Sequence, residues 1–113
     1  MYAYEIPGLR FSLPAGAEVK QHRFVSVTTG SKGIMATAAT AVIGVSMNEV
    51  KADQVLEVAD GIVIVEAGGA IAEGAVVYAD AAGKATATKG TSNPAGVAIT
   101  AASADGELVT VKM

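Results

Sequence analysis

The stretch GVSMNEVKADQVL, residues 44–56, decides the fold, because its pattern returns as GVAITAASADGEL at residues 96–108. The offset is 52 residues (96 − 44 = 52), and no gap is needed to extend it upstream. The matches fall at predicted turns and strand starts, which predicts one β-rich unit used twice, as two half-barrels that close on each other. The matched residues are Gly44-Val45 with Gly96-Val97, Ala52-Asp53 with Ala104-Asp105, Leu56 with Leu108, Glu5 with Glu57, Ala15-Gly16 with Ala67-Gly68, Val25 with Val77, and Lys32 with Lys84.

The pattern between these matches is typical of an all-β protein. Helical periodicity is weak, and short apolar runs alternate with Gly, Asp, Asn and Pro at a spacing of about 8–12 residues. The fold class we predict is a small β-barrel or β-tulip-like domain, built from the two pseudo-repeats and preceded by an extended N-terminal arm. The predicted strands lie near residues 9–13, 23–28, 33–37, 42–47, 54–58, 61–65, 75–79, 85–88, 95–100 and 107–112.

Four local features refine this prediction. The β-branched run Ile62-Val63-Ile64-Val65 predicts the most buried strand, and Asp60-Gly61 before it predicts a tight turn. Residues 80–84 predict a hairpin turn, whose counterpart in the first repeat is residues 28–32. Residues 70–73 predict a short helical turn.

The composition points to a small protein that associates with other chains. The 113 residues fit one domain. Hydrophobic residues make up 51% of the chain but aromatic residues only 4%, so few large side chains are available for the core. We therefore expect oligomerisation, in which partner surfaces complete the burial.

Charge and targeting signals exclude several classes of protein. The net charge of −3 and the pI near 5.0 argue against binding to nucleic acid, which requires a basic face. The chain has no Cys and hence no disulfide framework. Its start does not have the pattern of a signal peptide, and no apolar run is long enough for a membrane span. We expect a protein made in the cytoplasm that has no membrane partner.

The sequence does not support an enzyme or a cofactor site. His22 is the only histidine and has no Cys to join it in a zinc site, which predicts a surface or interface residue. Gly83-Lys84 fails as a phosphate loop because Tyr78 stands where Gly is needed and Ala85 where Ser or Thr is needed. Carboxylate pairs such as Glu49 with Asp53 are typical of a solvated face. Lys84 at a hairpin tip leaves open a carrier domain of the lipoyl or biotinyl type.

Residues 1–16 differ from the rest of the chain. Three of the five aromatic residues lie there, and Pro7-Gly8 and Pro14 argue against one continuous strand. We predict an arm over residues 1–16 and a single β-domain over residues 17–113. An arm of this kind often lies on another chain, and the alternative is a first strand packed on its own core. The residues we predict to contact another chain are Tyr2, Tyr4, Ile6, Pro7, Leu9, Arg10 and Phe11.

Five segments together resemble the small capsid decoration, or cement, proteins of tailed bacteriophages. The resemblance covers most of residues 17–113 and lies in the order and spacing of the segments. They are Ala41-Val42-Ile43-Gly44-Val45-Ser46, Gly61-Ile62-Val63-Ile64-Val65, Ile71-Ala72-Glu73-Gly74-Ala75-Val76-Val77-Tyr78, Asp80-Ala81-Ala82-Gly83-Lys84 and Pro94-Ala95-Gly96-Val97-Ala98.

The resemblance implies a non-enzymatic virion protein on the exterior of an icosahedral head. The implied partners are the major capsid protein and the protein itself, as a homotrimer, with no cofactor and no catalytic residues. In such proteins the N-terminal segment often contacts the major capsid protein. Two alternatives stay open: a small β carrier or ligand-binding module, and a tail or fibre module of a virion.

Overall fold

The computed structural model describes residues 6–89 and 94–113, and these residues form antiparallel strands without a helix. Eight strands follow the order β3-β2-β4-β5-β9-β8-β6-β7 in a strongly curled, half-barrel sheet, and β1 pairs with β5 outside this path. The all-β prediction is therefore confirmed. The strands are β1 (Ile6–Pro14), β2 (Phe24–Thr28), β3 (Lys32–Met35), β4 (Gly44–Ser46), β5 (Val55–Glu66), β6 (Val76–Ala79), β7 (Ala85–Thr86), β8 (Gly96–Ala98) and β9 (Leu108–Lys112).

The central strand β5 corrects two predictions. Asp60-Gly61 is not a turn, because β5 continues through it, and Gly61 takes a φ of 99° that glycine adopts without strain. The run at residues 62–65 is not the most buried strand: Val63 and Val65 are buried, whereas Ile62 and Ile64 are half-buried on the opposite face. All three residues of β4 are buried.

Two further predictions concern short segments. The turns at residues 28–32 and 80–84 are confirmed, because β2 pairs with β3 and β6 pairs with β7 across them. Residues 70–73 do not form a helical turn. Ile71 instead makes an isolated bridge to Ala102, and the equivalent bridge in the first repeat joins Val19 to Val50.

The repeat is visible in the strand pairing and divides the chain at the middle of β5. We call β1–β4 with residues 55–59 the N-terminal half, and residues 62–66 with β6–β9 the C-terminal half. The strands β2, β3 and β4 correspond to β6, β7 and β8 with matching register at an offset of 52 residues. Each half therefore builds the same small sheet from its own strands.

The offset increases by one residue before the last strand of the repeat. Val45 pairs with Ala59, and the equivalent Val97 pairs with Lys112, so Ala59 corresponds to Lys112 at an offset of 53 (112 − 59 = 53). Leu56 is buried and Leu108 is exposed. The sequence match of Leu56 with Leu108 is thus off by one, and the structural counterpart of Leu56 is the buried Val109.

Each half has its own apolar core on the inner face of its sheet. The N-terminal core consists of Ala15, Val19, Val25, Val50, Leu56 and Val58. The C-terminal core contains their counterparts, and it also contains Phe24, Val45 and Ala59, which lie on the outer face of the N-terminal half. The core of the C-terminal half is therefore closed by a row of residues from the N-terminal half.

Strands β4 and β5 approach each other closely at Gly44. A Cβ added at Gly44 would lie 2.6 Å from Val58 Cγ1 and 2.7 Å from the Ala59 carbonyl oxygen. Because backbone cannot move aside cheaply, Gly44→Ala should lower the free energy of unfolding by about 1–3 kcal/mol. Urea denaturation measures this, with Gly69→Ala as the control, since a Cβ there meets nothing within 4 Å. Equal effects of the two substitutions would contradict the prediction.

Candidate interaction surface

Strand β1 forms an edge of the fold and carries exposed apolar side chains. It is antiparallel to β5, and among the described strands β5 is its one partner. Leu9 is 59% exposed and Phe11 is 36% exposed. An edge strand with exposed apolar residues is a surface on which another chain can pack or pair.

The register of β1 shifts between Pro7 and Arg10, and the side chain of Asp60 holds this irregularity. The Leu9 N–H donates to Asp60 Oδ1 at 3.0 Å. The Pro7-Gly8 pair thus bends β1 without ending it, and Pro14 is the last residue of the strand. The prediction that these prolines prevent one continuous strand is therefore corrected: the chain absorbs the first as a bulge.

The predicted contact residues lie along this strand where they are described. Tyr2 and Tyr4 lie outside the described residues. Ile6 pairs with Ile62 and Pro7 with Gly61, at the start of β1. Arg10, the one cation among the seven, donates from Nη2 to Glu57 Oε2 at 3.0 Å, with both side chains about half exposed. A pair this exposed contributes little to stability, so its groups remain available to a partner.

The structure also exposes valines that sequence reasoning did not select. Val76 is 44% exposed and Val97 is 43% exposed, and the two are paired across β6 and β8. Val27 at the end of β2 is 50% exposed. Sequence reasoning did not find these valines, because the equivalent residues in the other half of the repeat are buried. The sequence does not show which half is covered by the other.

A cluster of charged side chains links the two halves. Arg23 is 8% exposed; its Nη1 donates to the Ala82 carbonyl at 3.0 Å and its Nη2 lies 3.4 Å from Glu66 Oε1. The Lys84 Nζ lies 3.0 Å from Glu66 Oε2 and 3.0 Å from Asp105 Oδ1. Glu66 therefore bridges a cation from each half of the chain.

The cluster shifts the pKa values of Glu66 and Lys84. Partial burial raises the pKa of Glu66, but hydrogen bonds and charges from Lys84 and Arg23 together outweigh it, and the pKa lies below the usual 4.5. Hydrogen bonds from Lys84 to Asp105 and Glu66 raise the pKa of that lysine. Glu66 and Lys84 are therefore both charged at neutral pH.

Residues 6–89 and 94–113 contain no ligand-sized pocket and no group of three or more His, Cys, Asp or Glu side chains placed to hold a metal ion. No helix that could span a membrane is found in this part of the chain. His22 is half-buried with a φ of 63°, and its Nδ1 has no hydrogen-bond partner. The surfaces that remain as candidate functional sites are β1 and the exposed valines.

Comparison with known proteins identifies the family. The sequence matches the phage cement protein family over residues 6–113. The chain belongs to the phage cement proteins. Curated protein sequences include no significant match to this cement protein. Among solved structures, the crystal structure of the N base of head fibre protein gp8.5 of bacteriophage phi29 has the same fold, with a TM-score of 0.78 and 23% identity over 93% of this chain and 92% of that one.

Family membership confirms the resemblance described above. Phage cement proteins are structural proteins, so this cement protein is a virion component on the exterior of the capsid.

The geometry of Lys84 also bears on the carrier alternative. A carrier lysine must present a free amine at a hairpin tip, whereas the Lys84 side chain is 19% exposed and its amine contacts two carboxylates. This arrangement suits a structural lysine.

Glu66→Gln should destabilise the cement protein. The substitution removes the one carboxylate paired with the largely buried Arg23, and we expect a loss of about 2 kcal/mol in the free energy of unfolding at pH 7. The matched control is Asp53→Asn, which breaks the exposed pair with Lys32, whose two side chains are 41% and 77% exposed. That change should cost less than about 1 kcal/mol. Chemical denaturation compares the two, and a larger loss for Asp53→Asn would contradict the assignment.

The difference in the free energy of unfolding between the wild type and Glu66→Gln should shrink as the pH is lowered. Because the pKa of Glu66 is lowered by folding, its contribution is complete above the usual value of 4.5 and is lost as the pH falls through the lower folded pKa. Glu107, whose pKa is lowered by hydrogen bonds from Ser103, contributes equally in both proteins and cancels from the difference. Denaturation curves from pH 7 down to pH 3 measure the effect, and a difference that grows in acid would refute it.

Proposed function

We propose that this cement protein binds the outer surface of the shell formed by the major capsid protein, as a homotrimer, and stabilises that shell. The observation that carries the proposal is the family match over residues 6–113, taken together with the exposed edge strand β1. The function requires no catalysis and no cofactor. The net charge of the protein, −3, is consistent with a partner other than nucleic acid.

Residues 1–16 are the proposed capsid-binding segment. The open edge of β1 offers backbone N–H and C=O groups that can pair with a strand of the shell. Leu9 and Phe11 supply exposed apolar surface beside that edge, and Arg10 supplies a positive charge with hydrogen-bonding capacity. Tyr2, Tyr4, Ile6 and Pro7 extend the proposed contact toward the N-terminus, and residues 17–113 form the body that carries it.

The stabilising effect follows from burial across capsid seams. A trimer that contacts neighbouring capsid subunits adds buried area where pressure from packaged DNA tends to separate them. An interface of standard size buries about 1,600 Å² in total, and the affinity it gives ranges widely. Three binding sites on one trimer raise the overall affinity further, because the second and third contacts form at high effective concentration.

A second candidate function is the base of a head fibre, which the likeness to the phi29 head fibre base favours. Both functions place the protein on the head exterior, and they differ in what the protein carries and in its copy number. Electron microscopy of intact heads separates them. Copies spread over the whole shell support a cement role, whereas a projecting fibre on each copy supports the fibre base.

Heads that lack this cement protein should release DNA at a lower temperature than complete heads. The reason is that each lost bridge removes buried area that opposes shell opening. A dye that fluoresces on binding released DNA measures the transition during heating, and adding back the purified protein is the control. Identical release temperatures for stripped, complete and reconstituted heads would contradict the proposed function.

Leu9→Asp should weaken binding to isolated shells by about 30-fold, the loss expected for an apolar anchor at the centre of an interface. The matched control is Leu108→Asp, because Leu108 is also an exposed leucine, at 44% against 59% for Leu9, and it pairs with Glu66 rather than with residues 1–16. Co-sedimentation with expanded shells measures both affinities. Equal binding by the two variants would show that β1 is not the capsid contact.

A further inference from the structure

The junction between the two halves has two complementary sides. One side is the outer row, defined as Phe24, Val45 and Ala59, which are fully buried and belong to the core cluster of the C-terminal half. The other side is the end of the C-terminal core at Ala79 and the adjoining hairpin at residues 80–84. Ala79 is 2% exposed and belongs to the same cluster.

Backbone hydrogen bonds hold this junction in one geometry. The Phe24 N–H donates to the Gly83 carbonyl at 2.7 Å, and the Glu66 N–H donates to the His22 carbonyl at 2.8 Å. Arg23 Nη1 adds its bond to the Ala82 carbonyl. The hairpin tip of the C-terminal half thus contacts the start of β2 at Phe24.

Each side of this junction has a counterpart that is left open elsewhere on the molecule. The counterparts of Phe24 and Val45 are Val76 and Val97, at the offset of 52 residues (76 − 24 = 52), and both are exposed. The counterpart of Ala79 is Val27 (79 − 27 = 52), which is 50% exposed. The N-terminal half therefore has an uncovered core end, and the C-terminal half has an uncovered outer row.

The free hairpin and the docked hairpin share a left-handed residue at equivalent positions, and they differ at the preceding position, where Gly30 is left-handed and its counterpart Ala82 is not. Ser31 corresponds to Gly83, and their φ values are 59° and 77°, both in the left-handed region. Ser31 is exposed. A Cβ at Gly83 would lie 3.1 Å from the Phe24 carbonyl oxygen, so a serine at this place needs a shift of a few tenths of an ångström.

We infer that other copies of this chain cover the two open sides, one copy on each side, and that the contact between copies repeats the contact between the halves. The hairpin at residues 28–32 and Val27 of one copy pack on Val76 and Val97 of the next. Lys112, the counterpart of the buried Ala59, lies at the edge of this contact.

This contact is head-to-tail, because the two surfaces that meet are different. Contacts of this type generate a closed ring or an open filament. A closed ring of three copies would be the homotrimer, so the inference rests on the self-association named in the proposed function and specifies its surface. It does not depend on which residues bind the capsid.

The test uses three valine-to-aspartate variants of the full chain. Val27→Asp damages one side of the contact, Val97→Asp damages the other, and Val55→Asp is the control at an equally exposed valine. Thermal melting followed by circular dichroism checks that each variant folds. Analytical ultracentrifugation at tens of micromolar protein should show oligomers for the wild type and Val55→Asp, and monomers for the other two.

Mixing the two damaged variants tests the head-to-tail arrangement itself. Val27→Asp keeps an intact outer row and Val97→Asp keeps an intact hairpin side, so an equimolar mixture should form dimers and nothing larger. Monomers alone in this mixture would overturn the head-to-tail contact. Oligomers of wild-type size for either variant alone would also overturn it.

Shell binding is measured on the same samples to separate this inference from the proposed function. Should the wild type sediment as a monomer in solution, chemical cross-linking on shells takes the place of sedimentation, and the absence of cross-linked copies that depend on Val27 and Val97 overturns the inference. Oligomers that do not bind shells would overturn the proposed function and leave the contact between copies intact.

Discussion

The core of the C-terminal half is closed from outside by Phe24, Val45 and Ala59. The hydrogen bond from the Phe24 N–H to the Gly83 carbonyl fixes the position of these residues against that core. Most of the residues in either core are Ala and Val, which bury little apolar area each. A half that is built from such residues needs a second layer to remove its core from water. The fold satisfies this need once within the chain, by using the back of one half as the cover of the other.

Charged groups reinforce the same junction. Glu66 is the last residue of β5, and it pairs with Arg23 from the N-terminal half and with Lys84 from the C-terminal half. Partly buried ion pairs of this kind fix relative orientation, because a displaced partner leaves a charge without compensation. The sequence around Lys84 is compatible with a modified carrier lysine. Its ion pairs with Glu66 and Asp105 instead indicate a structural role.

The geometry separates two surfaces with different tasks. Strand β1 lies at an edge with its apolar and cationic residues outward, which suits contact with a shell. The valines at the two ends of the repeated core lie elsewhere and suit contact between copies. The proposed function uses both kinds of surface, one to bind the shell and one to join the copies that bridge capsid subunits.

The sequence by itself determined the all-β class, the repeat and the turns at residues 28–32 and 80–84, because these depend on local turn chemistry and on a period that is readable along the chain. It misassigned Asp60-Gly61, since a glycine at positive φ serves a bend within a strand as well as it serves a turn. Only the tertiary structure decided that Phe24 is buried and Val76 exposed, because burial depends on which half covers the other, and a head-to-tail junction between two units leaves the other side of each unit uncovered.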